Sequence, residues 1–343
     1  MTTTRALGLT SPSSSVLEPL SIERRALRSD DVRIRVEYCG ICHSDIHAID
    51  GATDDVLPMV PGHEFVGTVA EVGPAVTKFA PGDSVAVSNI VDSCGQCEPC
   101  LAGEESYCRE WPTTTYNGAD RIDGTRTLGA YANEYVAREA FVYHRPASIP
   151  AAAVAPLMCA GITTWAPLSR YVTAPGMRVG VVGLGGLGHM AVKFAVALGA
   201  DVTVFTTSSA KRESALRLGA RQVVDTTDPA AFQNDPYLDF VLDTVPTQHE
   251  LGPYLDCLNL GGTMCIVGIP EEYRVPPLSL IMSRHQFTGS GSGGTRDVEA
   301  MLSFCDKHSI GADIELVKPA EINRALERLR HNDVRYRFVL DLT

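Results

Sequence analysis

MRVGVVGLGGLGHMAVKFAVALGADVTVF, residues Met177 to Phe205, decides the fold of this chain. It opens with a short apolar run ending in glycine, carries apolar residues at helical spacing from Gly186 to Leu198, and closes with a second apolar run, Asp201 to Phe205. Strand, turn, helix, strand is the repeating unit of a parallel sheet. Gly183-Leu184-Gly185-Gly186-Leu187-Gly188 places G-x-G-x-x-G at the junction of strand and helix. There Gly183 permits the tight turn, Gly185 lets the backbone approach a pyrophosphate, and Gly188 lets helix and strand pack closely. The helix N-terminus offers its free N–H groups to the phosphates. A purely structural glycine turn is the plainer alternative; the flanking strand and helix favour a dinucleotide site.

Working outward, Ser209 to Leu218 reads as a helix and Gln222 to Val224 as a short strand. DFVLDTV (239–245) and TMCIVGI (263–269) are two more apolar runs, so the sheet is doubly wound. Before Ala151 the pattern is different. Val32 to Val36, Phe65 to Val72 and Ser84 to Val87 are short alternating runs broken by Gly and Pro, the signature of a β-rich domain. After the sheet come predicted helices at Asp297 to Lys307 and Ala320 to Arg330, then a strand at Arg337 to Leu340. A chain of 343 residues has room for two domains.

An NAD site usually carries Asp or Glu at the end of its second strand, for the ribose hydroxyls. Here that strand runs into Thr206-Thr207-Ser208-Ser209, and Lys211 and Arg212 follow. Hydroxyls and cations hold a 2′-phosphate, which a carboxylate would repel. NADP(H) is therefore expected, with solvated helix residues as the alternative for the two cations.

The formal net charge of −12 argues against nucleic acid and anionic membranes as partners. The N-terminal MTTTRALGLTSPSSS lacks the apolar core of a secretory signal, and no run is long enough to span a bilayer, so a cytoplasmic protein is expected. Four of the ten cysteines form one cluster, Cys94-x2-Cys97-x2-Cys100-x7-Cys108. Four thiolates this close can enclose zinc with no open position, as in a structural site. Unbound cysteines and an iron–sulfur cluster are the alternatives, and the last spacing does not fit the ferredoxin run.

Other metal-capable side chains are dispersed. YCGICHSDIH (38–47), PGHEFVG (61–67) and APLMCAGITTW (155–165) each carry some, and spacing alone does not join them. Together with VDSCGQCEPCLAGEESYC (91–108), VGVVGLGGLGHMAVKFA (179–195), FTTSSAKRE (205–213) and DVRYRFVLD (333–341), they resemble the zinc-containing medium-chain alcohol dehydrogenases. The resemblance runs from about Glu37 to Asp341. It points to the cinnamyl-alcohol-dehydrogenase-like group and its bacterial NADPH-dependent aldehyde reductase branch.

The resemblance implies an α/β protein. Residues 1–151 plus 286–343 form a β-rich, GroES-like catalytic domain, into which a Rossmann domain, residues 152–285, is inserted. It implies two zinc ions per chain. Cys42, His63 and Cys159 would ligate the catalytic one, with Glu64 an occasional ligand, and the four-cysteine cluster the structural one. Asp45 would orient the imidazole of His63, Ser44 would hydrogen-bond the substrate oxygen, and His47 would continue the proton path. Thr163, Val267, Gly268 and Ser290 would join Gly183 to Gly188, Thr206, Thr207, Ser208, Lys211 and Arg212 around NADP(H). His43 reads as a packing or cofactor-side residue, and His144, His189, His249, His285, His308 and His331 as structural.

The implied reaction moves a hydride between NADP(H) and a primary alcohol or aldehyde, mainly as aldehyde reduction. Reduction of an iminium or activated alkene is a second reading; a nucleic-acid-binding zinc ribbon is a remote, non-enzymatic third. The implied assembly is a homodimer, with TMCIVGI as the joining edge strand. Two segments leave the family pattern. AIDGATDDVLPMVP (48–61) lacks the aromatic residue that relatives carry there, and Gly289-Ser290-Gly291-Ser292-Gly293-Gly294 replaces a bulky pair. A wider or more polar pocket is expected, with Trp111 and Tyr116 as candidates to refill it.

Overall fold

The computed structural model describes residues 2–232 and 236–343. They divide into two compact units, Met1–Cys159 with Gly293–Thr343, and Ala160–Ser292.

The first unit is built on a seven-stranded sheet. Its main path runs Ile314–Val317, Arg337–Asp341, Asp31–Ile41, Phe65–Val72, Ser84–Val87, Val142–His144, and Glu134–Arg138 also pairs with Asp31–Ile41. The long strand Asp31–Ile41 pairs with three neighbours and changes register at Val36/Tyr38. Gly67 faces it where a Cβ would lie 2.1 Å from the Arg35 carbonyl oxygen, so only glycine allows the strands to close there. Ile34, Val36, Phe65, Val85, Val87 and Leu340 pack into the core that this sheet covers.

In the second unit all six strands are parallel. Their order is Gln222–Asp225, Asp201–Thr206, Arg178–Val182, Leu238–Asp243, Leu258–Ile266, Gln286–Gly289. The order reverses between Arg178–Val182 and Leu238–Asp243, the position where such sheets bind ligands at their carboxyl ends. Val179, Val181, Val204, Phe240, Val241 and Met264 are fully buried, as strands covered on both faces require.

Two expectations change here. TMCIVGI lies mostly in Leu258–Ile266, which is hydrogen-bonded on both sides; the edge is Gln286–Gly289. Its unbroken apolarity marks an interior strand, since an edge tolerates polar residues, as Gln286 and Thr288 illustrate. Because Gln286–Gly289 pairs with this sheet, the unit reaches Ser292 instead of ending at 285, and it begins at Ala160 instead of 152. The helix from the glycine turn spans Gly188–Ala197, and no single helix among the described residues is long and apolar enough to cross a membrane.

Candidate metal centres and dinucleotide site

Cys42 caps the helix His43–Asp50. Asp45, three residues on, turns back to accept the Cys42 amide N–H at 2.9 Å, an acidic residue satisfying an orphan donor of the first turn. His63 and Glu64 lead into the strand Phe65–Val72, where Gly40 makes room for Glu64: a Cβ on it would lie 2.5 Å from Oε1. Cys159 follows the 3₁₀ turn Ala155–Met158, which Ser88 holds by donating to the Met158 carbonyl at 2.6 Å.

These three turns bring distant residues together. Cys42 Sγ lies 3.8 Å from Cys159 Sγ, and His63 Nε2 lies 3.3 Å from Cys159 Sγ. All three ligand atoms fall within 4.8 Å of one another. Tetrahedral zinc with bonds of about 2.3 Å sets sulfurs about 3.8 Å apart, so the set fits zinc with a fourth position left open. The shared thiol hydrogen bond drives Cys42 well below the usual thiol range and Cys159 well above it, as when one proton serves two sulfurs.

The surroundings are polar and closed. Asp45 is fully buried; its Oδ1 faces His63 Nδ1 at 3.1 Å and accepts the Gly62 amide at 3.2 Å. Its Oδ2 accepts the Tyr131 hydroxyl at 3.0 Å. Tyr116 reaches Asp45 as well, its ring tilted over His63 at 5.8 Å. Glu64 pairs with buried Arg337, yet burial pushes its carboxyl up to about 8, with Arg337 opposing. Glu64 Oε2 has no hydrogen-bond partner among the described residues.

Ser44 and His47 are exposed, three residues apart on one helix face, and Cys42 Sγ lies 3.7 Å from Ser44 Oγ. His43 is half-buried, its pKa lowered by that burial, and it hydrogen-bonds the Leu329 backbone. Trp111 is 81% exposed. Its amide donates to the Cys108 carbonyl and its carbonyl accepts from Arg121, which ties this turn to the cysteine lobe.

In that lobe Cys94, Cys97, Cys100 and Cys108 place their sulfurs within 4.8 Å of one another. Cys94 Sγ and Cys100 Sγ are 3.8 Å apart, and Cys97 Sγ and Cys100 Sγ 3.4 Å. The Cys94 amide points at Cys108 Sγ at 3.5 Å and the Cys97 amide at Cys94 Sγ at 3.4 Å, donors that suit thiolates. The donor set fits a closed tetrahedral zinc.

In the second unit the glycine turn has the expected division of labour. Gly183 takes φ +87°; a Cβ on Gly188 would lie 2.1 Å from the Gly183 carbonyl; a Cβ on Gly185 would meet nothing within 4 Å. Thr206, Val267 and Ser290 lie at the carboxyl ends of Asp201–Thr206, Leu258–Ile266 and Gln286–Gly289, on the sheet edge where Gly183 follows Arg178–Val182. The Ser208 amide donates to Thr206 Oγ1 at 3.2 Å. Arg212 donates to the Val223 carbonyl at 3.1 Å, whereas Lys211 is half-buried, its pKa lowered by that burial, with no carboxylate paired to it among the described residues. Thr163 is half-buried in the helix Ala160–Tyr171, and a Cβ on Gly268 would strike the Val245 carbonyl at 2.1 Å.

Arg337 and Tyr131 were not legible as site residues. The one available signal was an arginine leading the apolar run FVL, where burial demands a charge partner.

Two family models match the chain: the alcohol dehydrogenase GroES-like domain over residues 28–147, and zinc-binding dehydrogenase over residues 186–307. Aldehyde reductase YahK of Escherichia coli K12 is 47% identical over 331 residues, covering 95% of this chain and 94% of that protein. NADP-dependent alcohol dehydrogenase C 1 of Mycolicibacterium smegmatis is 46% identical over 335 residues, covering 96% of each. Among solved structures, a cinnamyl alcohol dehydrogenase of Sorghum bicolor superposes with a TM-score of 0.94 at 43% identity, over 99% of this chain and 98% of that one.

Proposed function

This chain belongs to the zinc-containing medium-chain alcohol dehydrogenases, in the cinnamyl-alcohol-dehydrogenase-like group with the bacterial aldehyde reductases, and we propose that it works chiefly as an NADPH-dependent aldehyde reductase. It is an oxidoreductase of alcohols and aldehydes that uses zinc and NADP(H). The observation that carries the reading is the clustered Cys42, His63, Cys159 set, which supplies three zinc ligands and leaves one position for a substrate oxygen. When bound, zinc supplies Lewis acidity to the carbonyl oxygen and NADPH supplies the hydride.

The chain's own residues do the rest. Asp45 orients His63, so that Nε2 is free for the metal. Ser44 gives a proton to the oxygen as the carbonyl is reduced, and His47, three residues along the same face, restores it from solvent. Gly183 to Gly188 cradle the pyrophosphate, Thr163, Val267, Gly268 and Ser290 line the cofactor, and Thr206, Thr207, Ser208, Lys211 and Arg212 surround the 2′-phosphate. Glu64, kept near Arg337, is an alternate ligand. Ala160–Ser292 supply the cofactor half and Met1–Cys159 with Gly293–Thr343 the catalytic half.

The assembly is a homodimer joined along Gln286–Gly289, an edge strand near the exposed apolar side chains Leu278, Ile281 and Met282. The compartment is the cytoplasm, where reducing conditions keep ten unpaired cysteines as thiols and metal ligands. Steady-state reduction of an aldehyde panel with NADPH and NADH, alongside zinc quantification, tests the reading. Two zinc per chain and preference for NADPH are expected; active protein with fewer than two zinc per chain would refute the ligand assignment.

A further inference from the structure

Asp45 gathers four short hydrogen bonds. His63 Nδ1 at 3.1 Å and the Gly62 amide at 3.2 Å meet Oδ1, and the Cys42 amide at 2.9 Å and the Tyr131 hydroxyl at 3.0 Å meet Oδ2. Two of these donors are backbone and one is the proposed metal ligand. Tyr131 is the remaining one of these four, a side chain that holds Asp45 at Oδ2 without itself reaching the metal set, while Tyr116, over the His63 ring, also reaches Asp45. We infer that Tyr131 is a positioning residue for the catalytic zinc: its phenol locks the Asp45 carboxylate, and through it the His63 imidazole, so that Nε2 faces the metal.

The placement of Tyr131 supports this. Its side chain is fully buried, so its hydroxyl cannot turn to water. Its amide donates to the Pro61 carbonyl at 3.0 Å, and the Ala130 amide donates to the Gly62 carbonyl at 2.9 Å. The segment carrying the phenol is thus hydrogen-bonded to the segment carrying His63. Gly62 is held in the left-handed region at φ +102°, and a Cβ there would lie 2.6 Å from Tyr131 Cδ1. Ring, carboxylate and imidazole are therefore joined by hydrogen bonds beside a backbone position that leaves no room for a side chain. Without the hydroxyl, a buried carboxylate oxygen loses a donor that water cannot replace, and the carboxylate gains freedom to rotate away from Nδ1. An imidazole whose Nδ1–H is not fixed spends part of its time as the tautomer that cannot ligate through Nε2.

The inference rests on the zinc reading of Cys42, His63 and Cys159, and its test separates the two. Tyr131→Phe keeps the ring and its packing and removes only the hydroxyl. Zinc release from the fully loaded protein to a metallochromic chelator reports both sites, and cobalt substitution gives a thiolate–metal absorption spectrum of the catalytic one. The expected result is an affinity loss of about 10- to 100-fold at the catalytic site, with the four-cysteine zinc unchanged and the cobalt spectrum shifted. Tyr131→Phe combined with Asp45→Asn should lose no more than Asp45→Asn alone, because the phenol acts only through that carboxylate. Wild-type retention of catalytic zinc by Tyr131→Phe, equal loss of both zincs, or additive losses in the double variant would each overturn the inference. If the unaltered chain holds zinc at the four cysteines alone, the metal reading falls, and this inference with it.

Discussion

Lys211 and Arg212 stand side by side in the sequence but have different surroundings. Arg212 spends a guanidinium N–H on the Val223 carbonyl, while Lys211 is half-buried with no carboxylate to neutralise it among the described residues. A half-buried, uncompensated ammonium at the end of the second parallel strand suits a dianionic phosphate. Lys211→Glu should therefore raise the KM for NADPH about 10- to 100-fold, the equivalent of one charge-assisted hydrogen bond of about 1.5–3 kcal/mol, and leave NADH use nearly unchanged. Steady-state kinetics with both cofactors check this; equal losses would assign Lys211 to the fold instead of the phosphate. The sequence placed both cations near the phosphate, but only the side-chain partners tell them apart.

The glycine turn and its helix make a prediction that separates folding from binding. Gly185 faces open space, and Gly188 abuts the Gly183 carbonyl at a distance no Cβ tolerates. Gly185→Ala should unfold in urea within about 0.5 kcal/mol of the parent, since nothing in the protein is displaced, yet bind NADPH more weakly where the pyrophosphate needs close approach. Gly188→Ala should lose about 1–3 kcal/mol of stability with no ligand present, as overpacking does. Urea melts and NADPH titrations by fluorescence distinguish the pair; the opposite ranking would show that the turn holds the helix by other means. The motif was readable from spacing because the G-x-G-x-x-G pattern encodes purely local steric needs.

At the scale of the whole molecule, the second unit ends in an unprotected strand. Among the described residues Gln286–Gly289 pairs on one side only, and Leu278, Ile281 and Met282 project from the preceding helix, Pro277–Ser283, into solvent. A long-lived protein covers such an edge. On the proposed dimer along this edge, Ile281→Asp should shift the protein to monomer in sedimentation velocity while leaving its circular dichroism unchanged. A dimer that persists at micromolar concentration would move the interface elsewhere.

What the sequence alone determined is local. The G-x-G-x-x-G turn and the four-cysteine cluster each lie within twenty residues, so spacing alone favoured a dinucleotide turn and a closed zinc site, and the alternation of apolar runs announced a parallel sheet. The three-residue metal set joins Cys42, His63 and Cys159 across more than a hundred positions, and only resemblance suggested it. Its supports, Tyr131 on Asp45 and Arg337 on Glu64, come from a bend and a strand far along the chain that reach these turns only through tertiary packing. The same holds for the edge: TMCIVGI read as the edge strand, and only the pairing with Gln286–Gly289 shows that it is interior. Long-range hydrogen bonding and burial leave no periodic trace in a chain, so the tertiary structure had to supply them.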